Sequence, residues 1–517
     1  MFGKVLIANR GEIALRIART CRRLGLAVAT VHSDADRDAP HVREIGQSVR
    51  LGPAPARTSY LDIARVVRAA QQVGADAVHP GYGFLSENAA FADALAAAGI
   101  GFVGPSAQVL REFGDKATAK RLARAAGVPV LPGADEASAD AGEVAARVAA
   151  LGYPVVLKAA AGGGGKGIRV LHGPDGLGDA IAGAMREGLS AFGDAALLVE
   201  RYLPHGRHVE VQILGDGRGG VLHLGERECS LQRRHQKVVE EAPALALPAG
   251  LRERLLEAAL ALGRQVRYRA LGTVEFLVAG DAFHFLEVNP RLQVEHPVTE
   301  AVTGFDLVEL QLRAAAGEPL LLAQADVRCT GHAIEARVYA EDPARGLVPG
   351  TGTLHHVELP CDAARVECGV ESGSVVTPHY DPLLAKLIVH GATRAEAIGR
   401  LREALARSRL CGVAHNLALL EALFSRPEVV DAVPDTGTLD ALLDRLAPAA
   451  ASWRAQAPHV LAAAALQDAR RDDPREPASS WRAFTHWRLG AAAGYRPLSA
   501  QYRLHGDGGV QRATVAR

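Results

Sequence analysis

Hydrophobic residues near the N-terminus alternate between short strand-like runs and a helical period. Residues 4–9 form a mostly apolar run typical of a buried strand, and Ile13, Ile17, Cys21 and Leu24 then recur on one helical face. The same pattern predicts strands at 27–32, 75–78 and 100–103 and a helix over 60–73. Strands that alternate with helices predict a doubly wound parallel sheet. No GxGxxG motif follows the first strand, so the sequence gives only weak support for dinucleotide binding.

A loop with the sequence HPGYGFLSEN, residues 79–88, follows the predicted strand at 75–78. Open α/β sheets bind ligands outside the carboxyl ends of their strands. We therefore interpret this loop as part of a ligand site, with a plain Gly-Pro turn as the alternative.

The second region begins with a predicted helix at 115–126 and has a glycine run at its centre. A strand that contains Lys158 leads into residues 162–165, which are all glycine, and a second strand follows. The backbone N–H groups of such a run can close over phosphates because no Cβ obstructs them. The run is not a Walker loop, since it lacks GxxxxGK[ST] and no helix follows. The predicted role is a mobile lid over a nucleotide, and a flexible connector is the alternative.

Two apolar runs that each contain one glutamate flank the turn signal Gly280-Asp281. A hairpin about this turn places Glu275 and Glu287 opposite each other on neighbouring strands. Together with Asn289 they offer hard oxygen ligands, which suit Mg²⁺ bound to nucleotide phosphates rather than zinc.

Polar groups crowd the chain directly after this hairpin. They are Arg291, Gln293, Glu295 and His296. Such groups can hold, polarise and deprotonate a small oxyanion. The alternative is a solvated strand end that happens to be charged.

Two later segments also combine charge with strand-like patterns. The run ERECSLQRRHQK, residues 226–237, has strand segments on both sides, which favours a functional role over a solvated face. In the segment 331–339, alternation puts Glu335 and Arg337 on one face. Further strands at 352–359, 374–378 and 383–389 and a helix at 394–408 complete this third region, for which we expect an antiparallel sheet.

Composition narrows the class of protein. A chain of 517 residues that is 48% hydrophobic can build three or four domains, and equal counts of 58 basic and 58 acidic residues give no indication of nucleic-acid binding. The six cysteines include no CxxC pair, which argues against zinc and a disulfide framework and fits a reducing compartment. No apolar run approaches the roughly 18 residues of a membrane span. We expect a soluble, cytoplasmic protein that does not contact a membrane.

Residues 1–445 resemble the biotin carboxylase family of ATP-grasp ligases. The resemblance rests on the motifs quoted above and on four further ones: IANRGEIALRI, KAAAGGGGKGIRV, FLEVNPRLQVEH and EARVYAEDP. EARVYAEDP is more similar to the α subunits of acyl-CoA carboxylases of the methylcrotonyl, geranyl or propionyl type than to a free-standing biotin carboxylase of the acetyl-CoA type. The resemblance implies a ligase that forms a C–N bond. It would carboxylate biotin with ATP and bicarbonate through carboxyphosphate, as the first half-reaction of an acyl-CoA carboxylase.

The resemblance also implies a set of site residues. For ATP they are Lys116, Lys158, Gly163, Gly164, Gly165, Glu200, Arg201, Leu203, His208, Gln232 and His235, together with Glu275 and Glu287. For Mg²⁺ or Mn²⁺ they are Glu275, Glu287 and Asn289, in agreement with the hairpin argument. For bicarbonate and biotin they are Lys237, Arg291, Gln293, Val294, Glu295 and Arg337. Arg201 and Ile168 stand where lysine and methionine are usual in the family.

The implied domains are an N-terminal domain over 1–114, an ATP-grasp domain over 115–330 with a lid at about 132–202, and a C-terminal domain over 331–445. A linker and the incomplete start of a β-rich docking domain would occupy 446–517. The family's biotin is attached to a lysine between two methionines, and neither Met1 nor Met185 adjoins a lysine. We therefore expect a chain cut short of its carrier, or a carrier on another polypeptide.

The expected partners are a biotin carrier, a carboxyltransferase β subunit, and a second copy of the chain or a larger complex. Two rival functions stay open at this point. One is another ATP-grasp ligase, such as a carbamoyl-phosphate or purine-pathway type, and the other is a catalytically silent ATP-binding scaffold of a carboxylase complex. The sequence does not identify the acyl-CoA that finally accepts the carboxyl group.

Overall fold

The computed structural model of this chain describes residues 1–134, 136–160, 167–320, 322–446, 499–506 and 509–516. The chain divides into two compact units, Met1–Leu442 and Leu443–Arg517. The predicted glycine lid with Gly163, Gly164 and Gly165, the predicted linker and the three tryptophans lie outside the described residues. Among the helices that are described, none is both long enough and apolar enough to cross a membrane.

The N-terminal region is the predicted doubly wound parallel sheet. Its strands are β1 (Lys4–Ile7), β2 (Ala27–Ser33), β3 (Ser48–Gly52), β4 (Ala77–His79) and β5 (Gly101–Phe102), in the order β3-β2-β1-β4-β5. Its helices are α1 (Gly11–Arg23), α2 (Pro40–Ile45), α3 (Ile63–Val73), α4 (Ala89–Ala97) and α5 (Ala107–Gly114). Helix α3 begins three residues later than predicted because Asp62 caps it, accepting a hydrogen bond from Arg65 N.

The next region carries a small antiparallel sheet. It contains α6 (Lys116–Ala125), α7 (Ala141–Leu151), β6 (Val155–Ala159), β7 (Arg169–Leu171), α8 (Leu177–Phe192) and β8 (Leu197–Arg201). The strand order is β7-β6-β8. Strands β6 and β7, which flank the predicted glycine lid, are antiparallel neighbours, so the end of β6 and the start of β7 lie side by side.

The central region follows β8. Its elements are β9 (Arg207–Asp216), β10 (Val221–Arg233), β11 (Gln236–Ala242), α9 (Leu251–Gln265), β12 (Arg269–Ala279), β13 (Ala282–Asn289), α10 (His296–Thr303) and α11 (Leu307–Ala315). Strands β12 and β13 form the predicted hairpin, and their register pairs Glu275 with Glu287.

The third region contains many short strands. They are β14 (His332–Tyr339), β15 (Glu341–Asp342), β16 (Val348–Pro349), β17 (Gly352–Thr353), β18 (His356–Glu358), β19 (Arg365–Cys368), β20 (Val375–Val376), β21 (Leu383–Gly391) and β22 (Arg409–Cys411). Its helices are α12 (Arg394–Arg407), α13 (Leu417–Leu423), α14 (Pro427–Val430) and α15 (Thr438–Leu446). The single strand predicted at 352–359 is wrong. The chain changes partner there, because β17 pairs with β20 whereas β18 pairs with β22.

One antiparallel sheet of eight strands joins the central and third regions, in the order β13-β12-β9-β10-β11-β14-β21-β19. The predicted domain boundary between residues 330 and 331 therefore separates two regions whose strands belong to one continuous sheet. Strand β14 pairs with β11 over Val239–Ala242. This pairing places the end of the charged run at 226–237, Gln236 and Lys237 on β11, on the strand next to the one with Glu335 and Arg337.

The second unit contains a described hairpin. Strands β23 (Ser499–Gly506) and β24 (Gly509–Ala516) are antiparallel, with Gly506 opposite Gly509. The alternation at 501–504 is typical of a strand in such a pair.

Candidate active site

Three carboxylates surround the ammonium group of Lys237, near the start of β11. Its Nζ donates to Glu210 Oε2 at 2.5 Å, to Glu275 Oε1 at 2.8 Å and to Glu295 Oε1 at 2.6 Å. Burial lowers the pKa of Lys237, but the three carboxylates outweigh burial and hold that pKa well above its usual value. Lys237 is therefore a fixed cation that ties β9, β12 and the start of α10 together.

A second cation, Arg227, lies beneath this cluster and is fully buried. Its Nε donates to Glu210 Oε1 at 2.7 Å, and its Nη1 donates to Gln212 Oε1 and Thr299 Oγ1 at 2.8 and 2.9 Å. Glu210 thus has one oxygen on Arg227 and the other on Lys237. No role was predicted for Glu210, and Arg227 was predicted only as part of the charged run at 226–237. A signal was present, because Glu210 follows His208 by two residues on an alternating strand and so shares its face.

Glu275 and Glu287 lie opposite each other on the hairpin, as their spacing predicts. Glu275 Oε2 is 3.0 Å from His208 Nε2, and Asn289 Nδ2 donates to Glu275 Oε1 at 2.8 Å. Burial raises the pKa of Glu287, and the negative charge of Glu275 raises it further. Two facing carboxylates that repel each other in this way are the donor set that a divalent cation neutralises.

Two close groups of metal-ligand atoms occur among the described residues. They are His208, Glu210 and Glu275, and Glu210, Cys229 and Glu295. The carboxylates in both groups already pair with cations, because Lys237 contacts all three, Arg227 contacts Glu210 and Arg337 contacts Glu295. Glu287 and Asn289 belong to neither group, and the predicted metal set of Glu275, Glu287 and Asn289 is a separate arrangement on the hairpin.

Arg291 is positioned by contacts on both sides of its guanidinium group. It forms an ion pair with Glu87 from the HPGYGFLSEN loop. Its Nη2 donates to Asn289 Oδ1 at 2.9 Å and its Nη1 to Gln293 Oε1 at 2.8 Å. The loop that the sequence analysis interpreted as part of a ligand site therefore reaches this site through Glu87, which was not itself predicted.

Glu295 stands between two cations at the start of α10. Lys237 contacts its Oε1, and Arg337 Nη2 on β14 donates to its Oε2 at 2.9 Å. Arg337 also forms an ion pair with Glu240 of β11, and its Nη1 donates to the Tyr339 hydroxyl at 3.3 Å. Val294, the preceding residue, uses its carbonyl oxygen to accept from Lys386 Nζ at 2.8 Å. A carboxylate that is fully buried and held in this way is in position to act as a base.

A separate lysine-carboxylate-lysine group is formed by side chains of α6, β6 and β8. Glu200 on β8 pairs with Lys158 Nζ at 2.5 Å and also with Lys120 of α6. Burial raises the pKa of Glu200, but the two lysines outweigh it and lower the pKa to about 2. Lys116 Nζ, one turn before Lys120 on α6, donates to Ala159 O at 3.3 Å. Lys120 was not predicted, although its spacing of four residues from Lys116 puts both on one helical face.

Four further residues were predicted to contact the nucleotide: Arg201, Leu203, Gln232 and His235. Arg201 donates to Leu151 O, Gly152 O and Tyr153 O at 3.0, 3.2 and 2.8 Å, so its side chain closes the end of α7 instead of facing a ligand. Leu203 is half-buried just after β8. Gln232 is buried and donates to Cys229 O at 3.4 Å, whereas His235 is exposed in the β10–β11 turn with a φ of 65°.

Fold and site together are those of an ATP-grasp ligase, and comparison with known proteins gives the family. Profiles of the biotin carboxylase N-terminal domain, the ATP-binding domain of the carbamoyl-phosphate synthase L chain, and the biotin carboxylase C-terminal domain match residues 1–110, 115–323 and 335–441. Biotin carboxylase 2 of Bacillus subtilis is 48% identical over 423 residues, which cover 81% of this chain and 95% of that protein. This chain belongs to the biotin carboxylase family.

Two further similarities extend this result. The mitochondrial methylcrotonoyl-CoA carboxylase subunit alpha of Oryza sativa is 49% identical over 437 residues, 84% of this chain and 59% of that protein. The chain thus spans about three fifths of that relative's length. The biotin carboxylase domain of Hydrogenobacter thermophilus 2-oxoglutarate carboxylase, solved as a dimer with MgADP, ADP and bicarbonate, has a TM-score of 0.83 and 42% identity. That match covers 86% of this chain and 98% of the solved chain.

Proposed function

We propose that this chain carboxylates biotin with ATP and bicarbonate, as the biotin carboxylase part of an acyl-CoA carboxylase α subunit. The observation that carries the proposal is the position of Glu295 between Lys237 and Arg337, with contacts of 2.6 and 2.9 Å. A base between two cations suits a reaction in which an anion is deprotonated and negative charge then develops on neighbouring oxygens.

Bicarbonate is assigned to Arg291, with Gln293 and the backbone of Val294 beside it. The guanidinium group offers forked, charge-assisted donors to a small oxyanion. Contacts to Glu87, Asn289 and Gln293 hold this guanidinium group beside the end of β13. An anion that binds there replaces one of these acceptors and lies close to Glu295.

The first chemical step assigned to this site is attack on ATP. Glu295 takes the proton of the bicarbonate hydroxyl, the freed oxygen attacks the γ-phosphorus, and the bond to the ADP oxygen breaks. Lys237 and Lys158 neutralise charge on the phosphoryl group in transfer. The carboxyphosphate formed in this step breaks at its C–O bond into CO₂ and phosphate, and this phosphate takes the proton of the biotin ureido nitrogen. Arg337 stabilises the negative ureido oxygen that results, while the nitrogen forms a bond to the carbon of CO₂.

The nucleotide is assigned to Lys116, Lys158, Glu200, Leu203, His208, Gln232 and His235, with the backbone at Arg201 and the glycine lid completing the site. Glu275, Glu287 and Asn289 are the ligands proposed for Mg²⁺ or Mn²⁺, which would neutralise the charge of the nucleotide phosphates. The repulsion between the two facing carboxylates supports this assignment, because a divalent cation between them removes it.

The proposed organisation follows the domain prediction: 1–114, 115–330 with a lid at about 132–202, 331–445, and a docking region over 446–517. Biotin would reach the site on a carrier, and a carboxyltransferase β subunit would take the carboxyl group onward. The name "subunit alpha" of the rice relative supports such a partner, and the dimeric Hydrogenobacter domain supports a homodimer. Six cysteines without a pairing pattern support a reducing compartment such as the cytoplasm.

One assay tests the proposal and separates it from its rivals. Phosphate release from ATP by the purified chain should require bicarbonate and rise when free biotin is added. Another ATP-grasp ligase would show no response to biotin, and a silent scaffold would bind ATP without turnover. Either result would overturn the proposed function.

A further inference from the structure

Four charged side chains occupy one buried patch of the eight-stranded sheet, behind the proposed base. Glu240 on β11 is directly opposite Glu335 on β14, and Arg337 on β14 is directly opposite Lys386 on β21. Glu335 and Arg337 are two residues apart on one strand, so all four side chains point to the same face. Glu240, Glu335 and Lys386 are completely buried, and Arg337 is 6% exposed.

The two carboxylates in this patch differ in their partners. Glu240 forms an ion pair with the Arg337 guanidinium group. Neither carboxylate has a partner in hydrogen-bond geometry among the residues that the structure describes, and Glu335 has no ion pair there either. A buried, unpaired carboxylate is costly, and a carboxylic acid that donates its O–H to a neighbouring carboxylate removes that cost. Opposed residues of an antiparallel pair have Cβ atoms about 5 Å apart, so the two carboxyl groups are within reach of each other.

The charges that face the pair come from several elements. They are Arg337 on β14, Lys386 on β21, Lys237 on β11 and Glu295 at the start of α10. Burial raises the pKa of Glu240, and despite the opposing effect of Arg337 that pKa reaches about 7. Burial also holds the pKa of Glu335 well above its usual value, and Lys386 only partly offsets it. Near neutral pH the pair therefore holds a proton.

We propose that Glu240 and Glu335 form a proton-sharing pair that positions the guanidinium group of Arg337 during biotin carboxylation. Glu335 holds the proton and donates it to Glu240 as a hydrogen bond, and Glu240 keeps its negative charge against Arg337. Both are positioning residues, because they act on the substrate only through Arg337.

The need for such a pair follows from the chemistry of Glu295, and in this respect the inference rests on the proposed function. Arg337 has two carboxylate partners, Glu295 and Glu240. When Glu295 accepts the proton of bicarbonate, it loses the charge that attracts Arg337. Glu240 then holds the guanidinium group alone, in the step in which Arg337 must meet the biotin oxygen.

Three variants of the full chain test this inference. In Glu240→Gln, Arg337 loses its second anionic partner, so carboxylation of free biotin should fall about tenfold or more relative to biotin-independent ATP hydrolysis. Glu335→Leu removes the proton donor and should lower the same ratio. Glu335→Gln keeps a donor for Glu240 and should restore the ratio to within about threefold of wild type.

The matched control is Glu241→Gln. Glu241 follows Glu240 on the same strand, faces the opposite side of the sheet, and pairs with Arg394 and His332. It is equally buried and charged but has no contact with Arg337. Its replacement should leave the ratio of biotin carboxylation to ATP hydrolysis at the wild-type value, even if the protein becomes less stable.

A pH profile separates proton sharing from simple packing. Raising the pH removes the shared proton from the wild-type pair, whereas the amide of Glu335→Gln cannot lose one. The alkaline limb of kcat for free biotin should therefore move to higher pH in Glu335→Gln, and this variant also serves if Glu335→Leu does not fold. Unchanged ratios in Glu240→Gln together with an unmoved alkaline limb would overturn the inference. A wild-type chain without any response to biotin would instead overturn the proposed function itself.

Discussion

Arg337 donates from its Nη2 to Glu295 Oε2 at 2.9 Å, which joins β14 to the start of α10. Lys237 holds the other carboxylate oxygen at 2.6 Å. The proposed base and the proposed biotin-binding cation are therefore in contact before any substrate binds. A substrate that reaches either group must displace part of this contact, which couples the bicarbonate end of the site to the biotin end.

Replacement of Arg337 by alanine should affect biotin carboxylation and biotin-independent ATP hydrolysis differently. The variant loses the cation that faces the biotin oxygen, so carboxylation of free biotin should fall about a hundredfold. Biotin-independent ATP hydrolysis should fall less, because Lys237 and Arg291 remain. Both rates can be followed by phosphate and carboxybiotin release. Arg400→Ala, which removes an exposed arginine on α12, is the control. Equal losses in both rates would contradict the assigned role.

Lys120, for which the sequence predicted no role, should influence ATP binding. It shares Glu200 with Lys158, so in Lys120→Met the carboxylate has only Lys158 as a partner. Lys158 is then held more tightly and is less available to phosphate, and the KM for ATP should rise about threefold to tenfold. Arg121→Met, an exposed neighbour on α6, is the control. An unchanged KM in Lys120→Met would show that this lysine serves only the fold.

Arg227 should contribute mainly to stability. Arg227→Met removes one cation from the fully buried Glu210, which keeps Lys237 and the nearby His208, and should lower the free energy of unfolding by about 3 kcal/mol. Denaturant unfolding measures the change. The exposed pair of Arg264 and Glu257 provides the comparison, since Arg264→Met should change stability by less than about 0.5 kcal/mol. Similar effects of the two substitutions would contradict the buried-network account.

The ion pairs of Glu200 predict how the stability of the fold changes with pH in the acidic range. Its pKa is lowered from 4.5 to about 2 in the folded protein. A carboxylate with a lowered pKa stabilises the fold above its ordinary pKa, and this contribution is lost as the pH falls from about 4.5 towards 2. Glu200→Gln should therefore lower Tm clearly at pH 7 and much less at pH 3. Glu253→Gln, on an exposed position of α9, should show no such trend. A Tm difference that is constant with pH would exclude the proposed linkage.

Several parts of the structure could be read from the sequence because they depend on local pattern. Alternating apolar runs predict the parallel sheet, and the midpoint of Glu275 and Glu287 falls in a turn, which fixes their pairing. The side-chain alternation in β14 likewise places Glu335 and Arg337 together. In each case the signal is a sequence pattern within a few residues along the chain or on the two sides of one tight turn.

The parts that could not be predicted depend on contacts between distant segments. Glu210, Arg227 and Glu240 acquire roles only because β9, β10, β11 and β14 are neighbours in one sheet. Glu87 reaches Arg291 across 204 residues of chain. The strand predicted at 352–359 is divided because its two halves bond to different partners, β20 and β22, which no local pattern records.

The most direct test of the central claim is the carboxylation of free biotin with labelled bicarbonate, measured for the wild-type chain and for Glu295→Gln. The substitution keeps the size of the side chain but removes its ability to take a proton. Wild type should form carboxybiotin only when ATP is present. Glu295→Gln should be slower by about a hundredfold or more while still binding nucleotide. Carboxybiotin formation by Glu295→Gln at a rate close to that of wild type would contradict the account.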